Sequence, residues 1–332
     1  MNAPHAAPDS TGFSTPTPLV TVAIPAYNHG RYLAEAIDSV LGQDYPAVEI
    51  IVIDDGSTDE TPEVLARYAG RVEAVSQANA GQSETINRAW RRARGEVVAY
   101  LSADDRLKPH AVSTAVAALR ADATLVMVYG DFDLIDPESR HVRRVRAPEF
   151  EYRALVSDLV CPPGPGAFVR RSAVERAGGW DPSLKQSPDF EFWLRVGLLG
   201  RCARIPDALA DLRVHPGSIS FAPSDEYRCE EPIRIMRRYF AETSALPAGI
   251  RALERESLAS AHLLAGRLHL RAGRYRQAGR AARAAAALCP RKLMSLRAGR
   301  LLANALVNRA AHEWLWRIRG AGRRKRGGHG GG

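Results

Sequence analysis

The sequence predicts an α/β fold, a mostly parallel sheet flanked by helices, with an all-helical extension after it. Three observations predict it. From Leu19 to Ala103 short β-rich apolar runs alternate with amphipathic stretches of helical spacing, which is the pattern of successive βα units. The most distinctive polar residues come directly after those runs, where open α/β sheets bind their ligands. Beyond about Asp225 the composition turns to Ala, Arg and Leu with few β-branched residues, which reads as helix rather than sheet.

Taken in order, the expected strands are Leu19 to Ile24, Val48 to Ile53, Arg71 to Ser76, Val97 to Leu101 and Leu125 to Tyr129. The helices between them fall near Arg31 to Leu41, Thr58 to Tyr68, Ser83 to Arg94 and Pro109 to Leu119. The pattern then loosens: a Pro/Gly cluster at Cys161 to Gly166 precedes a short strand, Ala167 to Arg170, a helix from Ser172 and another over Asp189 to Leu199. We divide the chain into a flexible tail (1–17), the α/β domain (18–225), a helical extension (226–320) and a basic, Gly-rich disordered tail (321–332). In the extension, Gly266, Gly273, Tyr275, Ala278, Ala285 and Pro290 stand where one tetratricopeptide-like hairpin has its small, aromatic and terminating positions. A lone repeat cannot bury its own face, so a hairpin packed on neighbours is expected rather than a peptide-binding array.

The composition, 45% hydrophobic and 25% charged, excludes collagen-like and globally disordered classes. The net charge of +9 is unevenly spread: residues 251–332 hold 19 Lys and Arg against 3 acids, leaving 27 against 34 in residues 1–250. Such a basic region implies an anionic partner, which could be a membrane leaflet, a phosphate-bearing acceptor or nucleic acid; a solvated helix surface is the alternative. Nucleic acid is the least expected, because the body is acidic and most of the tail lacks interleaved aromatics. Four cysteines without a CxxC pair, and a start without a basic-then-apolar leader, point to a reducing, cytoplasmic compartment rather than a disulfide framework or zinc site. The stretch Leu301 to Trp316 is interrupted by Asn304, Asn308, Arg309, His312 and Glu313 and falls short of the ~20 apolar residues that span a bilayer.

Three strand ends carry the chemistry. Pro25-Ala26-Tyr27-Asn28 offers an aromatic and an amide suited to a flat base, with no GxGxxG turn for a dinucleotide. Asp54-Asp55-Gly56-Ser57-Thr58-Asp59 supplies acids able to accept from a base or ribose, while Thr58 and Asp59 read as helix caps. Ser102-Ala103-Asp104-Asp105 places paired carboxylates where a hard divalent cation could bridge to substrate phosphates; an N-cap role for one acid stays open.

With Asn79-Ala80-Gly81-Gln82-Ser83 and Asn87 added, the set of motifs resembles the family 2 glycosyltransferases of GT-A fold over roughly Val20 to Ser220. Arg170-Arg171-Ser172-Ala173 and Gly178-Gly179-Trp180-Asp181, then Asp189-Phe190-Glu191-Phe192-Trp193-Leu194-Arg195, resemble the segment leading into the family's acceptor helix. Arg213-Val214-His215 with Ser218 and Ser220 resembles its closing element. Two positions depart from the pattern: Ser102 where many relatives have the first metal-motif Asp, and Pro188 where an acid usually precedes the base.

The resemblance implies an inverting, metal-assisted transfer from a nucleotide-diphosphate sugar to an acceptor hydroxyl, in cell-surface polysaccharide or glycolipid synthesis. It implies Asp189 as catalytic base, Asp104 and Asp105 as ligands of Mg2+ or Mn2+, and Pro25, Tyr27, Asn28, Asp55, Gln82, Asp104, Arg213 and His215 as donor-binding residues. Charge compensation at a helix start remains the alternative for Asp189, and a structural hydrogen bond for His215. The expected partners are the donor, a glycan or lipid-linked acceptor and an anionic membrane surface reached through basic C-terminal helices, where Trp314 and Trp316 would sit at the interface. The alternative function is a noncatalytic nucleotide-sugar-binding or scaffold protein with a degenerate site.

Overall fold

The computed structural model describes residues 13–215 and 224–306, which fall into two compact units: residues up to 155 with 160–222, and 156–159 with 223 onward. The first unit runs β1 (Val20–Ala26), α1 (Gly30–Leu41), β2 (Val48–Asp54), α2 (Thr61–Ala66), β3 (Glu73–Ser76), α3 (Gln82–Arg92), β4 (Val97–Tyr100), β5 (Arg106–Leu107), α4 (Ala111–Ala121), β6 (Leu125–Ile135), β7 (His141–Val145), α5 (Tyr152–Asp158), β8 (Ala167–Arg170), α6 (Arg171–Ala177), α7 (Pro188–Val196) and β9 (Arg201–Arg213), with the end of α5 belonging to the second unit. These strands form one sheet in the order β3-β2-β1-β4-β8-β6-β9-β5, with β7 paired to β6.

β1 lies parallel to β2 and β4, and β2 parallel to β3. β8 is antiparallel to both its neighbours, β4 and β6, and β9 is parallel to β6. β1, β2, β3, β4, β6 and β9 therefore all end at the same sheet edge. The central strands read as continuous apolar runs because both of their faces are covered: Val22, Ile24, Val52 and Val97 share one core cluster with Leu33 and Ile37 of α1 and Val112 and Leu119 of α4.

Three departures from the expected elements have physical causes. Residues 13–17, expected as part of a flexible tail, are tied down: the Arg170 guanidinium lies 4.5 Å from the Phe13 ring centroid, and the Ser14 amide donates to Glu96 at 2.8 Å. β6 continues six residues past Tyr129 and β9 has no counterpart among the expected strands, because both carry charges that only tertiary pairing neutralises. Asp131 accepts from Arg204, Asp133 from Arg144, and Lys108 bridges Asp133 and Asp211. These cations hold the Asp131 and Asp133 carboxyls below their usual range, the hydrogen bonds outweighing burial. Where β6 passes β9, a Cβ on Gly130 would stand 2.7 Å from the Asp207 carbonyl, so the bulge there requires glycine.

The second unit comprises α8 (Glu226–Cys229), α9 (Glu231–Glu242), α10 (Ala248–Arg251), α11 (Glu254–Arg271), α12 (Tyr275–Leu288) and α13 (Pro290–Leu293). α11 and α12 form a hairpin whose turn holds Gly273 at φ +76°. Small residues let the two helices approach closely: a Cβ on Gly266 would meet the Ala281 methyl at 3.5 Å, and Ala259, Ala265, Ala278 and Ala285 are buried. The buried hydroxyls of Ser257 and Ser260 donate to the carbonyls of Val156 and Ser157, which satisfies polar groups that burial would otherwise penalise. Residues 1–12, Ser218, Ser220, Trp314, Trp316 and the 321–332 tail lie outside the described residues.

Candidate active site

The loops after β1, β2 and β3 are stitched together by their own polar side chains. Asn28 adopts φ +54°, which Asn tolerates better than most residues; its amide N–H donates to Ser57 Oγ at 2.9 Å and its Oδ1 accepts from the Thr58 amide at 2.8 Å. Asp59 joins two helix starts, accepting from Gly30 N at 3.0 Å and from Thr61 N at 3.0 Å. Asp55 is 3% exposed and accepts from Gln77 Nε2 at 2.6 Å, Ala80 N at 2.8 Å and Gly81 N at 2.8 Å. Three of the roughly four lone-pair sites of that carboxylate are thus taken. Asn28 and Asp55, expected as nucleoside contacts, also tie these loops together. The Tyr27 ring, 46% exposed, Asn28 and Gln82 at the start of α3 are open to solvent; Pro25 is half-buried in β1.

The segment after β4 separates the two expected metal ligands. Asp105 is buried and its Oδ1 accepts from the Arg213 amide at 2.9 Å. Burial, then the neighbouring Asp104 charge, push its carboxyl far above the usual range. Asp104 is turned the other way: its Oδ2 lies 2.9 Å from His215 Nε2 and 3.9 Å from His29 Nε2. Among the described residues, the group whose ligand atoms converge is His29, Asp104 and His215, all within 4.8 Å of one another. Of the expected pair, Asp104 faces the two imidazoles and Asp105 faces the Arg213 amide. Strand order carries the missing signal: β1 neighbours β4, so the residue three past the end of β1 faces the residue four past the end of β4.

Arg213, expected on the donor, has a fully buried side chain. Its Nε donates to the Asp104 carbonyl at 2.8 Å, Nη1 to Ser139 Oγ at 2.8 Å and to the Asp136 carbonyl at 3.2 Å, and Nη2 to Glu35 at 2.9 Å. The guanidinium also lies 4.5 Å from the Tyr32 ring centroid, and Tyr32 in turn packs against His215 at 5.2 Å. A guanidinium with donors committed in this way positions the Asp104 loop and the His215 ring.

Asp189 sits in the first turn of α7, one residue after Pro188, whose missing N–H is no loss at a helix start. Burial raises its proton affinity, against the opposing pull of nearby backbone N–H groups. The Tyr100 phenol and the Cys161 thiol are raised as well, by burial and then by the Asp189 charge. Neither residue stood out in the sequence. The approach to α7 is clamped by Asn87, which donates to the Trp180 carbonyl and accepts from the Trp180 amide, both at 2.7 Å. Gly179, at φ +76°, leaves no room for a Cβ, which would lie 2.5 Å from Asn87 Oδ1.

Residues 21–178 match the family model described as glycosyl transferase family 2. The chain is 30% identical over 210 residues to an uncharacterized glycosyltransferase of Rickettsia typhi, spanning 61% of this chain and 66% of the relative. It is 33% identical over 187 residues to the chondroitin synthase of Escherichia coli, 55% of this chain and 27% of that one. The chain thus spans slightly less than two thirds of the first relative's length. Among solved structures, S. aureus TarS residues 1–349 with UDP-GlcNAc superposes with a TM-score of 0.63 at 21% identity, covering 90% of this chain and 92% of that one, a likeness of fold.

Proposed function

The chain belongs to glycosyl transferase family 2, and on that footing we propose that it transfers a sugar, with inversion, from a nucleotide-diphosphate donor to an acceptor hydroxyl. The observation that carries this reading is the pairing, in one α/β unit, of a proton-hungry carboxylate, Asp189, with an Asp104 and His215 pair at the sheet edge. An acceptor hydroxyl is a weak nucleophile at neutral pH, and Asp189 takes its proton as the oxygen attacks the anomeric carbon. A single displacement with no covalent protein intermediate inverts the configuration. Tyr27, Pro25 and Gln82 border the nucleoside, and the loops held by Asn28 and Asp55 keep them in place. The donor set of one carboxylate and two imidazoles suits a divalent cation, which when bound by Asp104 and His215 would neutralise charge growing on the leaving nucleoside diphosphate.

The experiment is a thermal-shift screen of UDP-, GDP- and dTDP-sugars with and without Mn2+. A ligand that binds only the folded state raises the melting temperature by mass action. The expected result is a metal-dependent shift for one nucleotide class, lost in Asp104→Ala. A shift that survives in Asp104→Ala at wild-type size removes Asp104 from the site, and no shift with any pair makes the chain a noncatalytic relative.

We place the acceptor among glycans or lipid-linked glycans of the cell surface, and the protein at an anionic membrane face. Among the described residues no helix is long and apolar enough to cross a membrane. Met294 and Leu296, 85% and 82% exposed, stand between exposed Arg291 and exposed Arg297 and Arg300, the combination of apolar and basic groups that interfacial segments use. Full-length protein should co-sediment with anionic vesicles more than with neutral ones, and Met294→Ser/Leu296→Ser should reduce the bound fraction. Equal partition of variant and wild type would remove this surface from the account.

A further inference from the structure

We infer that His29 is a third protein ligand of the cation site, so that the protein itself holds a divalent transition-metal ion before any donor arrives. This rests on the proposal above that Asp104 lies at the donor diphosphate. The tautomer of His29 is the first argument. Its Nδ1 lies 2.7 Å from the Tyr27 carbonyl oxygen, and a carbonyl only accepts, so Nδ1 carries a hydrogen and Nε2 is the nitrogen left to ligate an ion. A ring N–H given to a backbone carbonyl is the arrangement that orients metal-ligating histidines.

The second argument is where that lone pair points. Nε2 faces Asp104 Oδ2 at 3.9 Å, and His215 Nε2 stands 2.9 Å from the same oxygen. A lone pair facing a carboxylate oxygen is repelled by it unless a proton or a metal cation lies between them, and at 3.9 Å the gap is long for an N–H···O hydrogen bond and of the right size for an ion. Two atoms bound to one ion at about 2.1 Å stand roughly 3 to 4 Å apart, depending on the angle; the His29 separation falls in that span, and the His215 separation is that of a hydrogen bond whose proton the ion would replace. The supports are rigid: the His29 amide donates to Thr61 Oγ1 at 3.2 Å, and a Cβ on the adjacent Gly30 would lie 2.8 Å from Thr61 N, so the backbone there cannot shift toward α2. Two imidazoles beside one carboxylate suit Mn2+, Co2+ or their neighbours and fit Mg2+ poorly, since Mg2+ prefers oxygen ligands and keeps its waters. Because the Tyr27 carbonyl holds the ring, occupancy by the ion also steadies the loop that carries Tyr27 and Asn28.

The test is Mn2+ binding to full-length, donor-free protein, followed by electron paramagnetic resonance with nitrogen hyperfine detection. Wild type, His29→Ala, His29→Gln and Asp104→Ala are compared, each first checked for an unchanged metal-free melting temperature. Wild type should bind Mn2+ without donor, show two imidazole nitrogens and resist displacement by excess Mg2+. The His29 variants should lose one nitrogen and roughly tenfold or more in affinity, given that outer-sphere partners alone are worth 10- to 100-fold. His29 variants that bind like wild type while Asp104→Ala does not would overturn the inference and leave the metal-assisted transfer standing. Binding by wild type only when a nucleoside diphosphate is added would likewise overturn it alone. No Mn2+ binding with or without nucleotide would bring down both.

Discussion

Asp189→Asn should lower turnover by about 10²- to 10⁴-fold, the usual worth of a positioned general base, while the donor-induced thermal shift stays intact. The same substitution should raise the melting temperature at neutral pH. Burial puts the folded-state proton affinity of Asp189 above that of the unfolded chain, so its negative charge destabilises the fold at any pH above the raised value. That penalty fades as pH falls through the raised value toward the unfolded one, where the folded state binds more protons. In wild type, kcat/KM should therefore fall on acidification at a pH above the ordinary Asp range near 4, and the variant should lose that limb. Steady-state rates against pH, with melting curves of both proteins, check it; an unchanged acid limb in Asp189→Asn would assign the base elsewhere.

The largest effect on stability is expected at Arg213. Arg213→Met leaves Ser139 Oγ and the carbonyls of Asp104 and Asp136 without their donor and Glu35 without one of its two cations. Leaving buried acceptors without their donor costs roughly 1–3 kcal/mol each, a large part of a typical domain's margin when several are lost together. Urea denaturation should show that loss. Arg213→Lys keeps the charge but not the planar fork, and should fall between the two. A variant at wild-type stability that no longer binds donor would return Arg213 to the donor side.

The βα half of the chain was legible because its strands are mostly apolar: Val20–Ala26, Val48–Asp54 and Val97–Tyr100 lie within two residues of where periodicity placed them. β9 was not legible, since Arg201, Arg204 and Asp211 look like surface residues until Asp122, Asp131, Arg106 and Lys108 are brought beside them. At the candidate site the sequence locates the strand ends but not the direction of each side chain. Asp104 and Asp105 are adjacent in sequence, yet one faces the two imidazoles and the other faces the Arg213 amide. Asn28 Oδ1 and the Asp55 carboxylate, which a nucleoside would want, also hold neighbouring loops, a second use that spacing alone did not reveal. His29 went unread because its partner lies 75 positions away and is reached only through strand order.

The most direct measurement is the release of nucleoside diphosphate from the donor class that binds, followed with Mn2+ for wild type, Asp104→Ala and Asp189→Asn, with a panel of glycan and lipid-linked acceptors. The account predicts acceptor-stimulated release by wild type, loss of release in Asp104→Ala together with loss of donor binding, and loss in Asp189→Asn with binding retained. Release by both variants at the wild-type rate would contradict it.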